Sequence, residues 1–166
     1  MSLKQRLIAA GLSATLAVGA AFVAEKEGVS LVPYRDGGGV KTWCYGQTVG
    51  IPKPRYTPQE CDADLIRMYT EYHKAVEPYV PPDAPASVHW AFTSLAVNTG
   101  KSGWKNDRFL IPLKRRDWLA ACNAIEAPWQ GKYGVAKGYK ATIQGRPSKG
   151  LENRRHDEAA ICRSGL

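Results

Sequence analysis

Three features predict an α+β fold, with a small N-terminal β-sheet or hairpin packed against a mainly helical lobe. Residues 29–34 and 40–45 are short apolar-aromatic runs separated by Arg35-Asp36-Gly37-Gly38-Gly39, the pattern of a hairpin with a mobile turn. Beyond residue 57, segments with helical periodicity alternate with Pro- and Gly-rich breaks. About 140 residues follow the N-terminal segment, enough for one compact domain and too few for two comfortable ones.

The chain begins with an apolar segment. Residues 7–24 (LIAAGLSATLAVGAAFVA) carry no charge, with Lys4 and Arg6 before them and Glu25, Lys26 and Glu27 after. A continuous helix of that length is about 27 Å long, near the lower limit for crossing a bilayer core. The basic flank favours an N-in orientation. Seven of the 18 residues are Ala and four are Gly, Ser or Thr, so insertion should be weak. An uncleaved export anchor, a cleaved signal peptide and a buried soluble helix are the alternatives. Against cleavage, no Ala-x-Ala ends the stretch. Gly11, Thr15 and Gly19 form a small-residue stripe suited to close helix contact.

Pro52 and Pro54 disfavour regular structure up to Thr57. Thr57-Pro58-Gln59-Glu60 combines a capping box with Pro at the first helical position, predicting a helix to about Val76 that buries Cys61, Leu65, Tyr69, Tyr72 and Val76. After Pro78, Pro81, Pro82 and Pro85, residues 87–97 form an apolar helix carrying Trp90, Phe92 and Leu95, and Gly100 stops it. Asp117 caps a helix through Ile125, and a last helix runs over about 150–162. Residues 130–149 are rich in Gly and Lys with scattered aromatics, and they carry no clear periodicity.

The formal net charge is +8. Residues 1–100 hold nine Lys/Arg and nine Asp/Glu, whereas residues 101–166 hold 14 against six, so the excess lies wholly in the last 66 positions. Such a lobe is drawn to polyanions. Nucleic acid is disfavoured because no recognition motif accompanies the charge. Cys44, Cys61, Cys122 and Cys162, with an export-like N-terminus, point to two disulfides. Of the three pairings possible, Cys44–Cys61 with Cys122–Cys162 is preferred because it closes one local loop and staples a helix to the C-terminal helix. Neither these cysteines nor His73, His89 and His156 offer close metal-ligand spacing, so no metal or cofactor is expected.

Glu27, Asp36 and Thr42 are the candidate catalytic residues. Cleaving a glycosidic bond needs a proton donor for the leaving oxygen and a second carboxylate to steer water or stabilise charge on the sugar. Glu27 stands where the apolar helix ends, so its carboxyl can be partly desolvated, the setting a general acid requires. Asp36, beside three glycines, can stay solvated, and Thr42 can orient a water. Singly, each has an ordinary explanation: a membrane boundary, an Asp-Gly turn, a strand threonine.

The joint string from Glu27 to Gly46 (EGVSLVPYRDGGGVKTWCYG) resembles the active-site signature of the phage lysozymes, glycoside hydrolase family 24. On that resemblance Glu27 is the acid, Asp36 the second carboxylate and Thr42 the water-positioning hydroxyl. Tyr56-Thr57-Pro58-Gln59-Glu60-Cys61, Asn98-Thr99-Gly100 and Gly150-Leu151-Glu152-Asn153-Arg154-Arg155 extend the likeness over roughly residues 25–162. The N-terminal segment narrows it to the signal-arrest-release endolysins, implying residues 1–26 as a releasable anchor and 27–166 as a lysozyme-like domain. The implied activity is hydrolysis of the β-1,4 bond between N-acetylmuramic acid and N-acetylglucosamine in peptidoglycan. The implied location is the host inner membrane facing the periplasm, then the periplasm, as a monomer. A wall-binding module without activity and a lytic transglycosylase are the competing readings. Gln47 stands where the family commonly has His, residues 108–113 lack the usual small-residue helix start, and 130–149 look expanded.

Overall fold

The computed structural model describes residues 1–36 and 39–166. Gly37 and Gly38 of the expected hairpin turn lie outside the described residues. The chain is α+β and divides into two compact units, Met1–Glu71 and Tyr72–Leu166.

In the first unit the apolar segment is two helices, α1 (Leu3–Ala9) and α2 (Ala14–Glu27), and not the single 18-residue helix expected. Among the described residues, no helix is long and apolar enough to cross a membrane. The break has a local cause. Gly11 takes φ +99°, Gly11 N–H donates to Ile8 O at 2.9 Å and Leu12 N–H to Leu7 O at 3.0 Å, the paired bonds of a Schellman stop. Ser13 then starts α2 by accepting from Leu16 N–H, and Ser2 and Gln5 form a capping box on α1. The packed face keeps only part of the predicted stripe: Gly19 is buried, Gly11 and Thr15 are exposed, and Leu7, Ala17, Ala20 and Val23 are fully buried.

Strands β1 (Ser30–Arg35) and β2 (Lys41–Cys44) pair antiparallel, with Tyr34 opposite Thr42 and a register shift between Ser30 and Tyr34. Helix α3 (Pro58–Val76) starts at the expected box: Glu60 N–H donates to Thr57 Oγ1, and Thr57 N–H to Glu60 Oε2. Its Cys61, Leu65, Tyr69 and Val76 are fully buried and Tyr72 partly so. The Cys44–Cys61 disulfide closes a 17-residue separation across the hairpin's end.

The second unit is built on α4 (Ala86–Thr99), α5 (Asp107–Lys114), α6 (Trp118–Glu126) and α7 (Lys149–Arg163). Phe92, Leu95, Trp104, Phe109, Leu113 and Ile125 form its buried core. Asn106 starts α5 by accepting from Arg108 N–H, which compensates for the missing small-residue start. Pro112 lies inside the same helix and removes one backbone donor, a cost of about 3 kcal/mol that full burial of Phe109 and Leu113 offsets. The second disulfide, Cys122–Cys162, ties α6 to α7. Both pairings are those preferred on loop closure. The chain-entropy relation gives about 3 kcal/mol for the shorter loop and about 4 for the longer.

Between α4 and α7 lies a buried charge cluster. Glu158 accepts from Arg154, Arg155 and Ser94 Oγ, and Arg155 also donates to Asn98 Oδ1. A carboxylate shared between two guanidinium groups offsets part of the cost of burying them, and burial still pulls the Arg155 guanidinium below its ordinary value. Residues 130–149, which have no legible period, hold most of two hairpins: β3 (Trp129–Gly131) with β4 (Gly134–Ala136), and β5 (Thr142–Ile143) with β6 (Arg146–Pro147). The second turns on Gln144 and Gly145, both at positive φ as a two-residue hairpin turn demands.

Candidate active site

The three candidate residues all belong to the first unit. Glu27 is the last residue of α2; Gly28 follows at φ +71° and turns the chain into β1. Glu27 is half-buried, and its carboxyl abuts the turn after β2. A Cβ built on Gly46 would lie 3.3 Å from Glu27 Oε2, and Gly46 itself has φ +84°. The end of α2 and the end of the hairpin are thus brought against one another, and glycine supplies both the backbone conformation and the room.

Thr42 is 4% exposed on β2, and its hydroxyl donates to Val40 O at 3.1 Å. That donation turns the oxygen's lone pairs away from the carbonyl, where they can accept from a water. Asp36, half-buried, follows β1. Its Oδ1 accepts from Val40 N–H at 2.9 Å, and its own N–H donates to Val40 O at 2.9 Å. These bonds hold the carboxylate in place; Gly37, the other half of the expected Asp-Gly turn, lies outside the described residues. Arg35 donates to Gly39 O at 2.7 Å and fastens the loop again.

The turn at residues 44–47 is held from several sides. Trp43 and Gln47 exchange backbone hydrogen bonds of 3.0 and 2.9 Å. Gln47, in the position where a histidine is common, uses its side-chain amide to donate to Asp64 O at 3.3 Å. The contact joins the turn to α3 without a charge. Tyr45 donates its phenol to Asp62 Oδ1 at 3.3 Å, and burial pushes that phenol's pKa up, with the negative charge of Asp62 adding to the effect. The same Asp62 carboxylate, on a residue only 4% exposed, takes Arg6 Nε at 2.6 Å and Arg6 Nη2 at 3.1 Å. Sequence reasoning missed Gly46, Tyr45, Asp62 and Arg6. The glycine stands in the signature string, but the Arg6–Asp62 pair spans 56 positions and leaves no local signal.

A half-buried glutamate at a helix end, a carboxylate fixed in a loop and a buried threonine hydroxyl bonded to the same Val40 as that loop carboxylate make a chemical set suited to glycosidic hydrolysis. The phage lysozyme family model matches residues 24–158. The SAR-endolysin of Enterobacteria phage P21 is 31% identical over 139 residues, covering 82% of this chain and 76% of that protein. Among solved structures, the active form of the P1 phage endolysin Lyz superposes with a TM-score of 0.77 at 21% identity, covering 100% of this chain and 96% of that one. The secreted inactive form of the same endolysin gives 0.53 at 20% identity, over 87% and 94% of the two chains. The chain belongs to the phage lysozyme family, within its signal-arrest-release endolysin group. It is a muramidase, a glycoside hydrolase that acts on peptidoglycan.

Proposed function

We propose that Glu27 is the general acid for the β-1,4 bond between N-acetylmuramic acid and N-acetylglucosamine, with Asp36 as the second carboxylate and Thr42 as acceptor for the attacking water. Glu27 protonates the leaving oxygen, Asp36 offsets positive charge developing on the sugar ring, and Thr42 holds the water by a hydrogen bond to its hydroxyl oxygen. The observation that carries this reading is the fit of the Glu27 carboxyl against Gly46 at the hairpin's end. Product mass tests it: a hydrolase leaves reducing N-acetylmuramic acid ends, and 1,6-anhydro ends would favour a lytic transglycosylase instead.

The second part of the proposal is topological. Residues 1–26 are a signal-arrest-release segment, inserted N-in through residues 7–24 in the host inner membrane, and residues 27–166 are the catalytic domain facing the periplasm. After release the enzyme works in the periplasm as a monomer. Support comes from the folded segment, whose Schellman stop and buried Ala17, Ala20 and Val23 give its apolar residues somewhere to go when lipid is lost. The closer superposition on the active form of the P1 phage endolysin than on its secreted inactive form agrees with this. Collapse of the membrane potential removes a field acting on the flanking charges. Ala10, Ala14 and Thr15 are exposed in the folded segment, so changing all three to Leu raises its affinity for lipid without crowding the buried face. The triple variant should stay longer in the membrane fraction and lyse later; partition and lysis on the parent's schedule would contradict the release mechanism.

A further inference from the structure

Arg6 and Glu27 sit at opposite ends of the apolar segment, yet a short line of contacts connects Arg6 to the wall against which Glu27 rests. The guanidinium grips the Asp62 carboxylate through two bonds, Nε to Oδ2 at 2.6 Å and Nη2 to Oδ1 at 3.1 Å. This paired geometry fixes the orientation of the carboxylate as well as its charge. Asp62 Oδ1 in turn accepts from Tyr45 Oη at 3.3 Å, inside the unit. Tyr45 is bonded through the chain to Gly46, whose missing Cβ makes the space beside Glu27 Oε2. The neighbouring Cys44–Cys61 disulfide attaches the same turn to the residue preceding Asp62. Asp62 is 4% exposed, so removing the Arg6 partner leaves a buried carboxylate short of its cation and loosens the orientation of Tyr45.

We propose that Arg6 is a positioning residue for catalysis: through Asp62 and Tyr45 it sets the turn that confines the Glu27 carboxyl. The proposal rests on the reading of Glu27 as the acid. With residues 7–24 spanning a bilayer as a helix about 27 Å long, Arg6 lies on the far side from Asp62 and the bridge cannot form. When α1 and α2 fold as observed, the bridge closes. Two other features of Arg6 fit the assignment. It is partly exposed in the bridged state, with a side-chain accessibility of 33%, whereas its partner Asp62 is buried. It also lies in the last turn of α1, where a cation is favoured by the helix dipole.

The test uses the released full-length protein and soluble, uncross-linked peptidoglycan fragments, with kcat and KM measured separately. Arg6→Gln, assayed well below its melting temperature and with an unchanged circular-dichroism spectrum, should lose at least tenfold in kcat while KM stays within about twofold. Arg6→Lys, which keeps the charge without the paired geometry, should recover part of that loss. Tyr45→Phe removes only the hydroxyl that receives the effect; it should lower kcat severalfold, and the Arg6→Gln/Tyr45→Phe double variant should lose no more than Arg6→Gln alone. Unchanged kcat in folded Arg6→Gln, or losses that multiply in the double variant, would overturn the proposal. If Arg6→Gln does not fold, Tyr45→Phe decides: a severalfold loss in kcat at constant KM supports the proposal, and parental kcat overturns it. A Glu27→Gln control run alongside separates the two levels, since an active control defeats the acid assignment itself, whereas an inactive control with full activity in Arg6→Gln defeats only the positioning role.

Discussion

Gly46 and Glu27 are complementary: the glycine, at φ +84°, presents bare backbone to a carboxylate oxygen that a Cβ would meet at 3.3 Å. The relationship joins the end of the N-terminal helix pair to the end of the hairpin and makes both parts of one site. Gly46→Ala should therefore act twice. The left-handed backbone costs about 1–2 kcal/mol with an L side chain, lowering the melting temperature by several degrees, and the new methyl displaces the Glu27 carboxyl. Activity measured on folded Gly46→Ala should fall by an order of magnitude or more. A variant less stable but fully active would mean that the contact does not position Glu27.

The second unit carries a pH dependence of its own. His73 and His89 pack edge to face at 5.8 Å, and burial pushes both below the ordinary imidazole value, with the charge of His73 adding to the effect at His89. Glu77, whose Oε1 is 3.4 Å from His73 Nε2, opposes the shift. Because the folded chain holds these groups neutral more strongly than the unfolded chain does, unfolding takes up protons in acid. Their contribution is complete above the unfolded value of about 6.5 and is lost as the pH falls from there through the lower folded values. Melting curves from pH 8 to 5 should show the parent falling more steeply than His73→Gln/His89→Gln below about pH 6.5. Parallel curves would exclude the pair as the source.

Much of the fold was legible because its signals are local. The Thr57–Glu60 box, the Asp117 cap and the two apolar runs each state their structure within a few residues. What was missed depends on contacts or on unusual backbone. The apolar period across residues 7–24 hid a stop that Gly11 makes with two backbone bonds; the glycine was visible, but the reading placed it in a packing stripe. No helix was predicted over α5, whose Asn106 start and internal Pro112 give a weak local signal beside the burial of Phe109 and Leu113. A Gln144–Gly145 turn at positive φ is a poor hairpin signal because glutamine seldom takes that conformation. In the first unit, the string that holds Glu27, Asp36 and Thr42 was visible in the sequence, while the contact of Gly46 with Glu27 and the pairing of Arg6 with Asp62 were not. Both lie in three-dimensional proximity.

Glu27 is the proposed proton donor. Replacing it with Gln keeps the shape and removes the proton donor, so peptidoglycan clearing by purified Glu27→Gln is the most direct measurement. The predicted result is a loss of three or more orders of magnitude in clearing rate, with a circular-dichroism spectrum and melting transition close to the parent's. Near-parental clearing by that folded variant would contradict the assignment of the acid and, with it, the reading of the α2–hairpin junction as the catalytic site.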